Sequence, residues 1–150
     1  PPFFEILDTA IESALANNLM PIIDFHEHHA IQNNPLGVAP SFYAIWQQIS
    51  EHYKDAPTEV MFEFANEPNM KPDLWNDLYK MAYRIIRKSN PKRTLLIGTV
   101  NGNQIKYLKD LELPEDDRNI IVTIHYYEPI MFTHQGAEWN EKRKQQGIIL

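Results

Sequence analysis

The sequence predicts an α/β fold in which parallel strands are covered by helices. Four short runs of apolar residues are nearly continuous, which is typical of parallel strands buried on both faces. Segments with helical spacing separate these runs, and this alternation indicates βα units joined by right-handed crossovers. Two architectures fit the pattern: a small doubly wound sheet, and half of an eight-stranded barrel.

Three helices are predicted from apolar residues at i, i+3 and i+4 spacing. The first covers residues 5–18. Ser41 is expected to cap the second helix and Asp73 the third, because their side-chain oxygens accept hydrogen bonds from free N–H groups at helix starts. The segment 32–40 is rich in Asn, Pro and Gly and is therefore predicted to be a loop.

Side chains within the helices are expected to differ in environment. His52 is placed on a helix surface, in contact with solvent. Four aromatic residues fall at helical positions where packing in the core is the expected role; they are Trp46, Trp75, Tyr79 and Tyr83.

Polar residues follow each apolar run at its carboxyl end. The runs cover residues 19–25, 60–65, 94–99 and 120–126. Ligands of parallel α/β sheets bind at the carboxyl ends of the strands, so these polar residues predict a site. They are His26, Glu27, His28 and His29, then Asn66 and Glu67, then Thr99, Asn101 and Asn103, and finally His125, Tyr126 and Tyr127.

Glu67 is the leading candidate for chemistry. Pro68 disfavours the right-handed α region for the residue before it, so Glu67 is expected to project from an extended strand end. A carboxyl group held there between apolar neighbours can serve as a general acid. The alternative is that Glu67 caps the turn into the next helix or pairs with Lys71. Glu63 lies on the same strand face and is interpreted as an interior partner.

Two further features suggest ligands. His26 and His28 are two residues apart, so a strand places both on one face, and a metal-dependent hydrolase is an alternative function. His125 is the evident source of a third metal ligand. Trp139 lies among polar residues after the fourth run, where its ring could stack on a sugar or another flat ligand.

Composition limits the remaining possibilities. The 150 residues carry a formal charge of −6, which argues against nucleic acid as a partner, and they include no cysteine for a disulfide scaffold. No apolar run is long enough to span a membrane, and no signal peptide is visible. The length fits one domain, and neither end looks like a natural terminus, so we expect a piece of a longer protein.

Three segments resemble glycoside hydrolase family 5, the family of retaining cellulases and mannanases. Residues 64–69 (FANEPN) are similar to its Asn-Glu-Pro strand end, and residues 123–129 (TIHYYEP) to its sixth strand. Residues 132–139 (FTHQGAEW) are similar to the loop that follows in bacterial endoglucanases. Residues 22–26 and 96–99 resemble the third and fifth strands of the same family.

The resemblance implies a fold and an activity. The fold would be a partial TIM (β/α)8 barrel of about four parallel strands with helices, roughly strands three to six. Residues 1–150 would form a single partial catalytic domain, running from the second barrel helix to the loop after strand six. The activity would be that of a retaining endo-β-1,4-glucanase, with Glu67 as general acid/base. The implied substrate-binding residues are Asn66, His26, His125, Tyr127, His134 and Trp139.

The resemblance also implies what accompanies this activity. The family's nucleophile is a glutamate that ends strand seven, which this chain does not contain, so we expect the 150 residues alone to be inactive. No metal or organic cofactor is implied, the partner is a β-glucan, and the expected location is extracellular. The remaining alternative is a non-catalytic half barrel that binds carbohydrate at most, or that forms a homodimer through its open strand edges.

Overall fold

The structure is a computed structural model that describes residues 2–139. The strands are β1 (Ile22–Asp24), β2 (Met61–Glu63), β3 (Leu95–Gly98) and β4 (Ile120–Thr123). The helices are α1 (Pro2–Ala16), α2 (His28–Asn33), α3 (Pro35–His52), α4 (Pro72–Ser89), α5 (Val100–Asn103) and α6 (Ile130–Thr133), with a 3-10 helix over Ile105–Asp110. None of the helices in this part of the chain has the length and apolar character that crossing a membrane requires.

The four strands form one parallel sheet, so the α/β prediction is confirmed. Their spatial order is β1-β2-β3-β4, the same as their order along the chain. A doubly wound sheet reverses its strand order at a switch point, whereas a barrel adds each new strand beside the last. The observed order therefore favours the barrel over the doubly wound alternative.

The core lies between the sheet and the helices α3 and α4. Trp46 and Trp75 are fully buried there, and each indole N–H reaches a strand-end carbonyl: Trp46 Nε1 lies 3.2 Å from Phe64 O, and Trp75 Nε1 lies 2.9 Å from Gly98 O. Tyr79 is also fully buried, so the predicted packing roles are confirmed for these aromatic residues. The helices are thus fixed to the carboxyl ends of the strands, where the predicted site lies.

The start of α3 differs from the prediction. Asn34 caps the helix, because its side chain accepts a hydrogen bond from Gly37 N at 3.0 Å, and Pro35 occupies the first position. The predicted loop over 32–40 is therefore almost entirely helical, and Ser41 lies inside the helix. An Asn followed directly by Pro is a strong start signal, and it outweighs the loop-like composition of the segment.

The start of α4 is also earlier than predicted. The helix begins at Pro72 with Lys71 as its N-cap, and no side chain caps it. Asp73 lies in the first turn rather than at the cap. A carboxylate there still complements the positive end of the helix dipole, which explains why an acidic residue suits this position.

His52 was predicted to lie on a helix surface in contact with solvent. It lies at the surface, but it also joins α3 to α1. Its Nε2 lies 2.9 Å from Asp8 Oδ1, and its ring stacks on Phe4 with centroids 4.1 Å apart. The hydroxyl of Tyr53 donates a hydrogen bond to the same carboxylate at 2.7 Å. The bonds from Tyr53 and His52 together hold the pKa of Asp8 below its ordinary value. These contacts join residues 44 and 45 positions apart, so helical spacing gave no sign of them.

Replacing Gly98 by alanine is expected to destabilise the protein by about 1–3 kcal/mol, because the new methyl group enters a packed interior. A Cβ at Gly98 would lie 2.3 Å from Oδ1 of Asn103, which is itself buried. Gly102 is the matched control, since a Cβ there meets open space and only its φ of 78° opposes alanine, at about 1 kcal/mol. Urea unfolding of both variants measures the difference. Equal losses would show that the Gly98 contact does not matter.

Candidate active site

A cleft of about 1080 Å³ lies at the carboxyl ends of the strands. The strand ends meet at this edge because the strands are parallel and adjacent. The structure brings all seven residues of the predicted site together around the cleft: His26, Asn66, Glu67, His125, Tyr127, His134 and Trp139.

Glu67 lies in the loop after β2 and faces the residues that follow β4. Its Oε1 lies 2.6 Å from His125 Nδ1 and accepts a longer hydrogen bond, of 3.5 Å, from the Tyr127 hydroxyl. The prediction that the carboxyl group lies between apolar neighbours is therefore wrong, because its nearest partners are an imidazole and a phenol. The alternative of pairing with Lys71 is also not what the structure shows, since the carboxylate is bound to His125.

The backbone at Glu67 was predicted to be extended. This prediction is wrong, because the residue adopts the left-handed conformation. Its φ is 47°, a region that costs a non-glycine residue of order 1–3 kcal/mol. Hydrogen bonds hold the loop on both sides: Asn66 N donates to Phe25 O at 3.0 Å, and Asn101 N donates to Pro68 O at 2.7 Å. Pro68 excludes only the right-handed α region, and these two bonds to neighbouring strand ends select the turn that aims Glu67 at His125.

His26 is oriented by its neighbours on both ring nitrogens. Nδ1 lies 2.7 Å from Asp24 Oδ2, and Nε2 lies 3.4 Å from Asn66 Nδ2. Sequence reasoning missed Asp24. The available signal was its spacing, because residues two apart on a strand share a face and an Asp can fix the tautomer of a His placed there.

A series of aromatic rings extends from His125 along the cleft. Successive ring centroids are 6.0 Å apart from His125 to Tyr127, 4.9 Å from Tyr127 to His134 and 5.5 Å from His134 to Trp139. Each pair meets edge to face, with interplanar angles of 87°, 81° and 86°, a favourable geometry for aromatic groups. Trp139 ends the series with 73% of its surface exposed, so one indole face is available to a ligand.

Two features of this series of aromatic rings were not predicted. Thr133 donates a hydrogen bond to Tyr127 O at 2.6 Å and also lies 2.8 Å from His134 Nδ1, so it fixes the spacing of both rings. Burial and the nearby carboxylate of Glu67 raise the pKa of the Tyr127 hydroxyl, which keeps it a hydrogen-bond donor. Thr133 gave no signal in the sequence, since its partners lie in the surrounding loop.

The polar residues after β3 do not line the cleft, contrary to the prediction. Thr99 and Asn103 are buried, and they donate hydrogen bonds to Gln104 O at 2.9 Å and Thr123 Oγ1 at 3.0 Å. Asn101, Gly102 and Asn103 all have positive φ, so the chain turns sharply here and directs these side chains away. The cleft is lined instead by His29, which the sequence predicted, and by five residues that sequence reasoning missed: Gly102, Gln104, Ile105, Lys106 and Glu128.

The metal alternative gains no support from the donor set. Among the residues that the structure describes, no group of three or more His, Asp or Glu side chains is placed to hold a metal ion. His26 is bound to Asp24, and His125 is bound to Glu67. The side chain of His28 lies outside the described part of the structure.

The strands lie side by side in the order in which they occur along the chain, and polar side chains at their carboxyl ends line the cleft. These two features define a segment of an α/β-barrel enzyme. Comparison with known proteins identifies the family. The family model for cellulase (glycosyl hydrolase family 5) matches residues 1–149, and the chain belongs to this family. The resemblance and the partial TIM barrel that it implied are therefore confirmed.

Individual relatives agree with this assignment. Endoglucanase H of Acetivibrio thermocellus is 33% identical over 150 residues, which cover 98% of this chain and 17% of that protein. The clostridial cellulose synthase subunit Z (CcsZ) of Clostridioides difficile superposes with a TM-score of 0.93 at 37% identity, covering 99% of this chain and 50% of that one. Cel5A of Thermotoga maritima, solved with cellobiose, gives a TM-score of 0.90 at 41% identity, covering 95% and 47%. The chain thus spans about half of each solved relative and less of endoglucanase H.

Proposed function

We propose that this chain is the half of a retaining endo-β-1,4-glucanase that carries the general acid/base, Glu67. The observation that carries the proposal is the position of the Glu67 carboxylate, which lines the cleft and lies 2.6 Å from His125 Nδ1. A carboxyl group fixed by a histidine can give a proton to a glycosidic oxygen and later take one from water. In this proposal residues 1–150 form one partial catalytic domain, and β1–β4 are strands three to six of the barrel.

The proposed reaction has two steps. In the first, the glycosidic C–O bond breaks, Glu67 protonates the leaving oxygen, and a second carboxylate bonds to the anomeric carbon. In the second, Glu67 accepts a proton from water as the water oxygen displaces that carboxylate. The two carboxyl groups must lie about 5–5.5 Å apart. Since the resemblance places the nucleophile on the seventh barrel strand, we expect these 150 residues alone to bind glucan without hydrolysing it.

The proposed substrate is a β-1,4-linked glucan. Cel5A of Thermotoga maritima has been solved with cellobiose and also with mannotriose, so the related cleft accepts glucose and mannose units. Asn66 and His26 would hydrogen-bond the sugar beside Glu67, while Trp139 would stack on a sugar further along the cleft. The proposed location is extracellular, as the resemblance implies.

Cellotriose is expected to change the tryptophan fluorescence of the chain, and Trp139→Phe is expected to remove that change. Trp46 and Trp75 are fully buried, so only Trp139 among these three tryptophans can touch a ligand in the cleft. Trp139→Ala should weaken binding by about three- to tenfold, as loss of one aromatic contact does. Phe3→Ala removes a similarly exposed ring far along the chain, on α1, and serves as the control. Equal binding by the wild type and Trp139→Ala would exclude stacking on Trp139.

Association with a second copy is a further candidate, favoured by the edges of the sheet. In the part of the chain that the structure describes, β1 and β4 are edge strands, and Ile22 and Ile121 on them are 44% and 48% exposed. Unpaired strand edges with apolar side chains promote pairing between chains. We expect light scattering of the purified 150-residue chain to show a homodimer. A monodisperse monomer at high concentration would contradict this.

A further inference from the structure

A line of polar groups crosses the inner face of the sheet directly beneath the cleft. Asp24 on β1 and Glu63 on β2 are register partners, so their side chains share this face. Glu63 Oε1 accepts a hydrogen bond from Thr123 Oγ1 of β4 at 3.3 Å, across the intervening strand β3. The proposed site residues follow these groups along the chain: His26 two residues after Asp24, and Glu67 four residues after Glu63. The line therefore forms the floor of the cleft.

Gly98 makes this arrangement possible. It is the register partner of Thr123, and it leaves a gap on the inner face because it has no side chain. The Asn103 side chain fills that gap and donates a hydrogen bond to Thr123 at 3.0 Å. Asn103 O also accepts a hydrogen bond from His125 N at 3.0 Å. The Asn103 side chain thus packs into the floor beside Gly98.

One carboxylate oxygen in this floor lacks a donor. Asp24 Oδ2 binds His26 Nδ1, but Asp24 Oδ1 is buried and has no hydrogen-bond partner among the described residues. A buried acceptor without a donor costs about 1–3 kcal/mol, and more when it is charged. Glu63 is the neighbouring group that could supply a proton. Burial and the adjacent Asp24 raise the pKa of Glu63, although its bond from Thr123 and the nearby His125 and His26 act in the opposite direction.

We infer that Asp24 and Glu63 share one proton, that the protonated Glu63 donates it to Asp24 Oδ1, and that this pair positions the His26 ring. This role for Glu63 rests on the proposed function, because it concerns a residue of the proposed glucan cleft. Glu63 acts as a positioning residue, since in this inference its effect on the cleft passes through Asp24 and His26. The pair then carries one negative charge instead of two, which is the smaller cost in a partly buried site.

The shared proton also fixes the tautomer of His26. With Asp24 ionised on its Oδ2 side, His26 holds its proton on Nδ1, and Nε2 is left as an acceptor for the Asn66 amide. The charged and titratable groups that face Glu63 are Asp24 and His26 from β1 and the loop after it, and His125 after β4. Strand β3 lies between them and consists of Leu95–Gly98, which contribute no titratable side chain.

The test is a pH titration of the 150-residue chain by NMR, following the carboxyl carbons of Asp24 and Glu63. We expect the Glu63 carbon to show its transition above the pH at which the other glutamates lose their protons, and the Asp24 carbon to shift in response to it. Asp24→Asn removes the neighbouring charge and should lower the Glu63 transition by roughly one pH unit or more. Glu59→Gln, the same side-chain change on an exposed residue, should leave both carbons unaffected. A Glu63 transition to which the Asp24 carbon does not respond, or one that Asp24→Asn does not move, would overturn the inference.

The tautomer of His26 supplies a second readout that packing alone would not change. Glu63→Gln retains a donor for Asp24 and should keep the ring nitrogen shifts of the Nδ1-protonated form, whereas Glu63→Leu should give a mixture of tautomers. If Glu63→Leu does not fold, the wild-type and Asp24→Asn titrations decide the question alone. Cellotriose is added to the same wild-type sample. If cellotriose does not bind, the proposed function is contradicted. The shared proton is tested separately, by the titrations.

Discussion

In a complete barrel that contains this chain, Glu67→Gln is expected to slow hydrolysis of β-1,4-glucan by about 10²- to 10⁴-fold, the usual contribution of a general acid/base. Glutamine keeps the shape of glutamate and an oxygen that can accept the bond from His125, so the cleft should remain intact. What it loses is the proton given to the leaving oxygen. A suitable barrel is a chimera in which this chain replaces the matching half of Thermotoga maritima Cel5A, to which it is 41% identical.

The choice of leaving group separates acid catalysis from binding. A dinitrophenyl cellobioside departs without protonation, so its first step should be slowed far less by Glu67→Gln than hydrolysis of the polymer. Added azide, a nucleophile that needs no general base, should then restore turnover of the trapped glycosyl-enzyme. Glu59→Gln is the matched control on an exposed residue and should retain wild-type rates. A uniform loss on both substrates, without rescue by azide, would mean that Glu67 does not transfer the proton.

The strands of the fold could be predicted well because a strand buried on both faces appears in the sequence as a nearly continuous apolar run. Each observed strand lies inside its predicted apolar run; β2, for example, is Met61–Glu63 within residues 60–65. The helix starts could not be placed as well. Ser41 and Asp73 are good capping residues, but Asn34-Pro35 and Pro72 begin the helices earlier. Local capping preference is a weak guide when several competent residues occur within two turns of one another.

The membership of the site could be predicted, but its contacts could not. Glu67 and His125 each follow a strand, and parallel strands bring their ends to one edge, so their proximity follows from the fold. The hydrogen bond between them joins residues 58 positions apart. Its geometry depends on the left-handed turn at Glu67, which bonds from neighbouring strand ends impose. Asp24 and Thr133 were missed for the same reason, because they act on other site residues and not on the cleft itself.

The second large effect is expected at Arg93, at the opposite end of the sheet. Its guanidinium is buried, with only 5% of the residue exposed, and burial lowers the pKa of the group. It donates hydrogen bonds to one side-chain amide and four backbone carbonyls, which belong to Asn90, Tyr53, Ala56, Pro57 and Val60. The four carbonyls lie between the end of α3 and the start of β2, and Asn90 follows the end of α4. Arg93 therefore closes the connection that leads into the strand before Glu67.

Arg93→Ala is expected to destabilise the protein by about 3–5 kcal/mol, because it removes a buried cation and leaves its carbonyl partners without donors. Arg93→Lys keeps the charge but offers one compact group instead of a planar fork, so it should recover less than half of the loss. Arg84→Ala on the exposed face of α4 is the control and should change stability by less than about 0.5 kcal/mol. Urea unfolding at neutral pH measures all three variants. An Arg93→Lys variant as stable as the wild type would show that a buried charge suffices here, and that the fork of hydrogen bonds does not hold the connection.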